Sequence, residues 1–323
     1  RGKIMCGPHS VSQESQFTLH NAKTQNPNFQ NPNLVYNSSL QPHTSNIKML
    51  WLSFDLIIFD CDSTLSLIEG IDELARLAGQ EAEIAALTQR AMDGDIPLED
   101  VYEHRMVTVR PTRAQLRAVK KAYRDQVVPD AYETIAALHR MGKEVFIVSG
   151  GLREAVADFG EWLGVPPDRI FAVGMEYNQL SGDWWQYHRQ NEAEQYLSVE
   201  NHPLTATGGK IAIIENEIRA RHKGRAMLIG DGLSDLEARP AVDLFVGFGG
   251  AVKRARIAAE ADVFIATPSL SPIVALAGSR SALSAAPALT TDGLRRIEHG
   301  QVTFRDAAAR AAFQRAIGSF AER

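Results

Sequence analysis

Two aspartates flank one cysteine in LIIFDCDSTL, residues 56–65, directly after an apolar run that carries no charge. Such a run reads as a buried strand, and ligand crevices of parallel α/β sheets open beyond the carboxyl ends of their strands. Asp60 and Asp62 stand at that end. Because Asp, Ser and Thr also favour turns, the pair alone reads equally as the turn that closes the strand. Other strand ends tip the balance toward chemistry. IVSGGLRE, residues 147–154, sets Ser149 and Gly150-Gly151 after a second apolar run, and LIGDGLSDLEA, residues 228–238, sets Asp231 and Asp235 after a later one.

Carboxylates, a hydroxyl and small residues converging on one sheet edge are what phosphoryl transfer needs. Mg²⁺ takes one or two carboxylates while keeping waters and phosphate oxygens, and Asp60 and Asp231 fit as its ligands. A carboxylate can also attack phosphorus and divide hydrolysis into two steps, which makes Asp60 the candidate nucleophile. A second carboxyl group must protonate the leaving alkoxide and later activate water; Asp62 is the candidate. Ser149 and the amides around Gly150 and Gly151 suit phosphate oxygens at a helix N-terminus. Lys210, in TGGK, can place a positive charge against the transferring group, although an isolated Gly-Gly-Lys is usually a solvated loop.

Competing chemistries fail on spacing. A Cys-x5-Arg phosphatase loop starting at Cys61 would need arginine where Leu67 stands, so Cys61 reads as a small apolar residue in the crevice wall. A Walker A loop around Lys210 would need glycine and Ser/Thr where Leu204 and Ile211 stand. GFGGAV, residues 247–252, ends in Val252 where a dinucleotide fingerprint needs Gly or Ala. No HExxH or Cys-His zinc spacing occurs among the nine histidines.

The elements that must position these residues follow from periodicity. Apolar runs at Leu56–Phe59, Val145–Val148, Ile170–Val173, Met227–Ile229, Leu244–Val246 and Val263–Ile265 alternate with helical patterns. That alternation predicts an α/β fold with a parallel sheet covered on both faces. About 80 residues separate the first two runs, far more than one crossover helix requires, so something is inserted there. The insert reads as helices: Ile71, Leu74, Ala75 and Ala78 share a face, Ile84 and Leu87 start another, and Thr112 caps a helix bearing Leu116, Val119 and Ala122. Asp130 is expected to cap the next helix and Gly142 to end it. A last helix is expected from Thr303 or Asp306, with Phe313, Ile317 and Phe320 on one side.

The chain of 323 residues has a formal net charge of -5, which gives no broad electrostatic reason to expect nucleic acid or an anionic membrane as partner. A small molecule is the expected partner, and a homodimer stays open. Cys6 and Cys61 are the only cysteines, and no apolar stretch reaches membrane-spanning length; the expected compartment is the cytoplasm. Residues 1–48 are polar and aperiodic and are expected to be disordered, whether as an upstream extension, a leader or a fusion remnant. On that reading the Asn37-Ser38-Ser39 sequon is idle. After Gly278 the composition turns rich in Ala and Ser, which marks residues 281–323 as a C-terminal extension with a terminal helix.

In joint order and spacing, FDCDSTL, EGIDELA, AMDGDIPLEDVYEHR, IVSGGLRE, GGK, IGDGLSDLEA and GFGGAVKR, between Leu52 and Gly278, resemble the haloacid dehalogenase superfamily and within it the phosphoserine phosphatase family. The resemblance implies a Rossmann-like core over 49–65 and 129–280, with a helical cap over 66–128. It also implies Mg²⁺ dependence and hydrolysis of O-phosphoserine through an aspartyl-phosphate. Carried over by position, Asp60 is nucleophile and Asp62 general acid and base, while Ser149, Gly150 and Lys210 hold phosphate. Asp60, the backbone carbonyl of Asp62 and Asp231 hold the metal, with Asp235 supporting them. Glu69 then faces the substrate's amino group and Arg105 its carboxylate. A zwitterion needs such an anion and a bidentate cation beyond the phosphate pocket. By themselves, Glu69 also reads as a helix N-terminal acid and Arg105 as part of a solvated face.

Three departures stand out. Leu98 stands where several family members have Phe in the cap, Ser234 replaces the common Asn of GDGxND, and residues 175–207 differ from the family pattern, which bears on substrate breadth. Three alternatives remain at this point: another small phosphomonoester as substrate, phosphotransfer to an alcohol such as homoserine, and a non-hydrolytic phospho-aspartate switch.

Overall fold

The computed structural model describes residues 51–92, 96, 98–178, 196–279 and 283–318. Segment 1–48, residues 179–195 of the divergent stretch and Phe320 lie outside the described residues.

Four consecutive apolar residues make β1 (Leu56–Phe59), and all four are buried, as a strand with parallel neighbours on both edges requires. The chain then enters four helices, α1 (Gly70–Ala78), α2 (Glu81–Met92), α3 (Leu98–Val109) and α4 (Arg113–Asp125). It returns through α5 (Ala131–Arg140), β2 (Glu144–Leu152), α6 (Arg153–Trp162) and β3 (Ile170–Val173). A short antiparallel pair follows, β4 (Met175–Tyr177) with β5 (Tyr196–Val199). Next come α7 (Gly209–Ile213), extended by a π-helical turn Ile214–Arg219, then β6 (Ala226–Gly230), α8 (Leu233–Glu237) and β7 (Leu244–Phe248). After α9 (Ala255–Glu260), β8 (Val263–Ile265) and α10 (Ser271–Ala277), the chain forms a helix Pro287–Glu298, β9 (Val302–Phe304) and a helix Ala307–Gly318.

The large sheet has the order β3-β2-β1-β6-β7-β8-β9. Its first six strands are parallel, and β9 runs antiparallel to β8. From β1 the chain builds outward on one side through β2 and β3, then crosses to β6, β7 and β8 on the other. The crevice beside β1 is therefore the point where strand order reverses, the usual ligand position in such sheets. All six expected apolar runs are strands of this sheet, and the α/β architecture is as expected. β4, β5 and β9 were not expected: each is three or four residues long, with exposed or half-buried positions.

The helical insert joins the sheet through two adjacent connections. Ser66 and Val127 form an antiparallel bridge. Leu67 N donates to Gln126 O at 2.8 Å and Val128 N to Leu65 O at 2.9 Å. Thr112 caps α4 as expected, in a reciprocal arrangement with Gln115. The buried stripe of α4 is Leu116, Val119 and Tyr123; Ala122 is half-buried, and the larger Tyr123 takes the inward position.

Asp130 departs from its expected role. It stands at the N-cap of α5, but its side chain makes no cap hydrogen bond. It accepts instead from Ser269 Oγ at 2.5 Å, Leu270 N at 2.8 Å and Ser271 N at 2.9 Å. Tertiary donors outcompete the local one here. Gly142 follows α5 with φ +72°. At the C-terminus, Thr303 lies in β9, and Asp306 Oδ1 accepts from Ala308 N at 2.8 Å to start the last helix. Among the described residues no helix is long and apolar enough to cross a membrane.

Candidate active site

The turn after β1 carries the first two aspartates. Asp60 N donates to Ile229 O of β6 at 2.8 Å, which holds the strand end in register, while Thr64, Leu65 and Ser66 direct their N–H groups at Cys61 O. Ser63 adopts a left-handed φ of +51°, a costly conformation for a residue with a side chain. That conformation accompanies a 2.7 Å hydrogen bond from Ser63 Oγ to Glu69 Oε1.

Asp60 Oδ1 accepts from Cys61 N at 2.8 Å, and Asp60 Oδ2 lies 2.9 Å from Lys210 Nζ. Lys210, at the start of α7, also donates to Asp235 Oδ1 at 2.6 Å. Burial works against its charge, but Asp235 and Asp60 outweigh it and hold the ammonium well above the usual lysine range.

Asp62 has a different environment. Its Oδ1 accepts from Gly70 N at 2.7 Å and Tyr123 Oη at 2.6 Å, and its Oδ2 from Ser149 Oγ at 3.3 Å. Gly70 is required by this convergence: a Cβ there would sit 2.2 Å from Tyr123 Oη. Burial, then the neighbouring Asp60, push Asp62 up to about 6 despite those donors. The same setting, burial first and then Asp62 and Asp60, keeps the Cys61 thiol protonated.

Ser149 is fully buried in the last part of β2, and its Oγ accepts from Gly151 N at 3.0 Å. Gly150 follows it, with its carbonyl accepting from Tyr102 Oη at 3.0 Å. At the end of β6, Asp231 Oδ1 accepts from Thr64 Oγ1 at 3.3 Å and its Oδ2 meets Arg254 Nη2 at 3.0 Å. Asp235 Oδ2 accepts from Gly232 N at 3.1 Å. A Cβ on Gly230 would approach Asp235 Cγ to 2.1 Å, so only glycine lets that carboxylate lie against the strand.

Asp60, Asp231 and Asp235 each bring a carboxylate oxygen within 4.8 Å of the others, all buried. Burial pushes Asp231 up to about 6 and Asp235 up to about 8, against the attraction of Arg254 and Lys210 respectively. A cluster of hard oxygen donors whose charges are this poorly compensated can hold a metal ion.

The helical insert supplies the opposite wall. Glu69 accepts from Ser63 Oγ and lies 3.5 Å from Arg254 Nη2; burial, then Asp62 and Asp231, push it well above the usual carboxylate range. Arg105 is 7 % exposed, and its Nε and Nη2 have no hydrogen-bond partner among the described residues. Burial lowers its pKa.

Asp60, Asp62, Glu69, Arg105, Ser149, Gly150 and Lys210 line one cavity, with Asp231 and Asp235 joined to it through Asp60 and Lys210. Sequence reasoning did not assign Ser63, Thr64, Tyr102, Tyr123 or Arg254 to the site. Arg254 lies within the quoted GFGGAVKR motif, which was the one available signal. Tyr123 gave none, because 61 residues separate it from Asp62.

Known proteins match this architecture. The model of the haloacid dehalogenase-like hydrolases matches residues 54–182. Phosphoserine phosphatase of Rattus norvegicus is 32 % identical over 221 residues, covering 68 % of this chain and 93 % of that protein. The chloroplastic phosphoserine phosphatase of Arabidopsis thaliana is 30 % identical over 71 % of this chain and 78 % of its own length. Among solved structures, the phospho-aspartyl intermediate analogue of a phosphoserine phosphatase superposes with TM-score 0.56 at 29 % identity, covering 69 % of this chain and 98 % of that one. The chain thus belongs to the phosphoserine phosphatase family of the haloacid dehalogenase-like hydrolases and is a phosphoric monoester hydrolase.

Proposed function

We propose that this protein hydrolyses O-phosphoserine to serine and inorganic phosphate through an aspartyl-phosphate on Asp60, with Mg²⁺ as its metal. The observation that carries the substrate is Arg105: a buried guanidinium with unpartnered donors, across one cavity from Asp60 and Lys210. An unpaired buried charge is costly, and a ligand carboxylate would satisfy it bidentately. Glu69 on the same wall offers an anion to the ligand's ammonium. Relatives named phosphoserine phosphatase over most of their length support this reading.

Ser149 Oγ, the amide of Gly150 and Lys210 Nζ hold the phosphoryl oxygens, while the Gly151 amide donates to Ser149 Oγ. Asp60 attacks phosphorus; the new bond is P–Oδ, and the bond from phosphorus to the serine oxygen breaks. Asp62 gives its proton to that departing oxygen. Its Oδ1 is fixed by two donors and its Oδ2 meets only Ser149 at 3.3 Å, so Oδ2 is the oxygen placed to carry the proton. Asp62 then takes a proton from the water that attacks the aspartyl-phosphate, releasing phosphate and restoring Asp60. Asp60, the backbone carbonyl of Asp62 and Asp231 would hold Mg²⁺, and Asp235, spent on Lys210 and Gly232, would support them. When bound, the cation offsets the repulsion between the attacking carboxylate and the phosphate. The four-helix insert over 66–128 serves as the cap on this site. The low cysteine count and the small-molecule substrate suit the cytoplasm.

The test is phosphate release from L- and D-phosphoserine, ethanolamine phosphate and other small phosphomonoesters, with Mg²⁺ or with chelator. Metal-dependent release from phosphoserine is expected, and Asp60→Asn should abolish it. Turnover of other esters without phosphoserine, or a phosphorylated alcohol in place of free phosphate, overturns the reading.

A further inference from the structure

Arg105 has no protein partner for Nε or Nη2 among the described residues, so hydrogen bonds to those nitrogens do not set where its guanidinium lies. Its place depends on where α3 is held. Two side chains of α3 fasten that helix to the sheet's functional edge. Tyr102, 8 % exposed, donates from Oη to the carbonyl of Gly150 at 3.0 Å. One turn earlier, Glu99 Oε2 accepts from Thr207 N at 3.1 Å and Thr207 Oγ1 at 2.9 Å. Thr207 precedes the Gly208-Gly209-Lys210 turn, and Gly150 follows Ser149. Both ties therefore end on the segments that present the phosphate-binding groups, one at the end of β2 and one just before α7.

Tyr102 and Arg105 are three residues apart and share the buried face of α3 with Met106 and Val109. We propose that Tyr102 is a positioning residue for specificity: its hydrogen bond to Gly150 sets the distance between Arg105 and the phosphate-binding loop, and so selects phosphomonoesters whose carboxylate lies at that distance. The inference rests on the phosphoserine reading and extends it from Arg105 to the residue that places it. Tyr102 touches neither the scissile bond nor the carboxylate in this role. Its effect is on discrimination between substrates.

The experiment compares kcat/KM for phosphoserine with kcat/KM for ethanolamine phosphate, which keeps the amine and lacks the carboxylate, in the wild type, Tyr102→Phe, Arg105→Ala and the double variant. Removing the hydroxyl is expected to lower the phosphoserine to ethanolamine phosphate ratio about 3- to 10-fold, mainly through KM for phosphoserine, the size expected for one hydrogen bond. In the Arg105→Ala background the same change should leave the ratio where Arg105→Ala put it. An unchanged ratio in Tyr102→Phe overturns the proposal, as does an equal fall for both substrates, which would place the effect on the phosphate loop. A fall of the same size with and without Arg105 also overturns it. Should Tyr102→Phe fail to fold, Glu99→Gln weakens the second tie from outside the cavity and should shift the ratio the same way by a smaller factor; no shift overturns the proposal. A wild type that releases phosphate from ethanolamine phosphate but not from phosphoserine overturns the substrate reading itself, and the role of Tyr102 with it.

Discussion

At the scale of single residues, two carboxylates one residue apart acquire different jobs from what surrounds them. Asp60 is held between a backbone amide and the Lys210 ammonium. Asp62 is buried beside that charge and receives only neutral donors. Like charges close together push one member toward its neutral form. Types and spacing made both aspartates legible in the sequence, because each sits one or three residues beyond an apolar run. The residue that fixes Asp62 was not legible, because Tyr123 reads locally as one more member of a helix stripe. Tyr123→Phe should lower kcat for phosphoserine about tenfold, since a hydrogen bond to a charged group contributes about 1.5–3 kcal/mol. KM should change little, because Tyr123 Oη meets the proton carrier and none of the proposed substrate-binding side chains. Steady-state kinetics on the purified variant checks this; unchanged kcat would show that Gly70 N and Ser149 Oγ suffice to orient Asp62.

Among the elements, continuous apolar runs announced the six parallel strands, since burial on both faces leaves no polar positions. Capping was legible where the partner is local, as at Thr112, and misleading where a tertiary partner competes, as at Asp130. The turn that leads from β8 into α10 explains that difference. Asp130 grips it from the start of α5, and Asp292 grips it from the helix Pro287–Glu298, accepting from Ser271 Oγ at 2.7 Å. Asp292 is also hydrogen-bonded to Arg295 and to Arg296, and these, with Ser271, hold its carboxyl well below the usual range. A depressed folded-state pKa contributes stability that is present above the unfolded value of about 3.9 and is lost as pH falls toward the folded one. The side chain is 30 % exposed, so screening limits the contribution to about 1 kcal/mol. Asp292→Asn should therefore lower the melting temperature by about 2–4 °C at pH 7. The gap to the wild type should narrow as both are melted at successively lower pH below about 4. A gap independent of pH would mean that Asp292 acts through packing alone.

For the whole molecule, the C-terminal stretch that composition set apart is woven into the fold. β9 pairs with β8 as the edge of the seven-stranded sheet, and α10, buried at every position, lies against the helix Pro287–Glu298. That contact depends on Gly293, where a Cβ would meet Ser271 O at 2.4 Å. The pairing of β9 and the contact at Gly293 were not legible, because three residues of strand and a glycine inside a helix carry too little periodic signal to reveal a tertiary role, whereas the last helix was expected with Phe313 and Ile317 on one side. At the sheet edge away from the site, Trp51 packs edge-on against Phe313 at 5.2 Å and Phe304 at 6.0 Å between ring centroids, and its Nε1 donates to Leu276 O at 3.0 Å. The residues leading into the central strand, the last strand and the last helix thus close on one another. Phe313 is only 2 % exposed, and truncating such a ring typically costs about 3–5 kcal/mol. Phe313→Ala should lower the unfolding free energy by an amount in that range, read as a lower urea midpoint at constant slope, while KM for phosphoserine stays unchanged because the cavity side chains are untouched. If the midpoint held, the last helix would unfold independently and the sheet would be stable without it. A lower slope with a split transition would place β9 and both C-terminal helices in a separate cooperative unit.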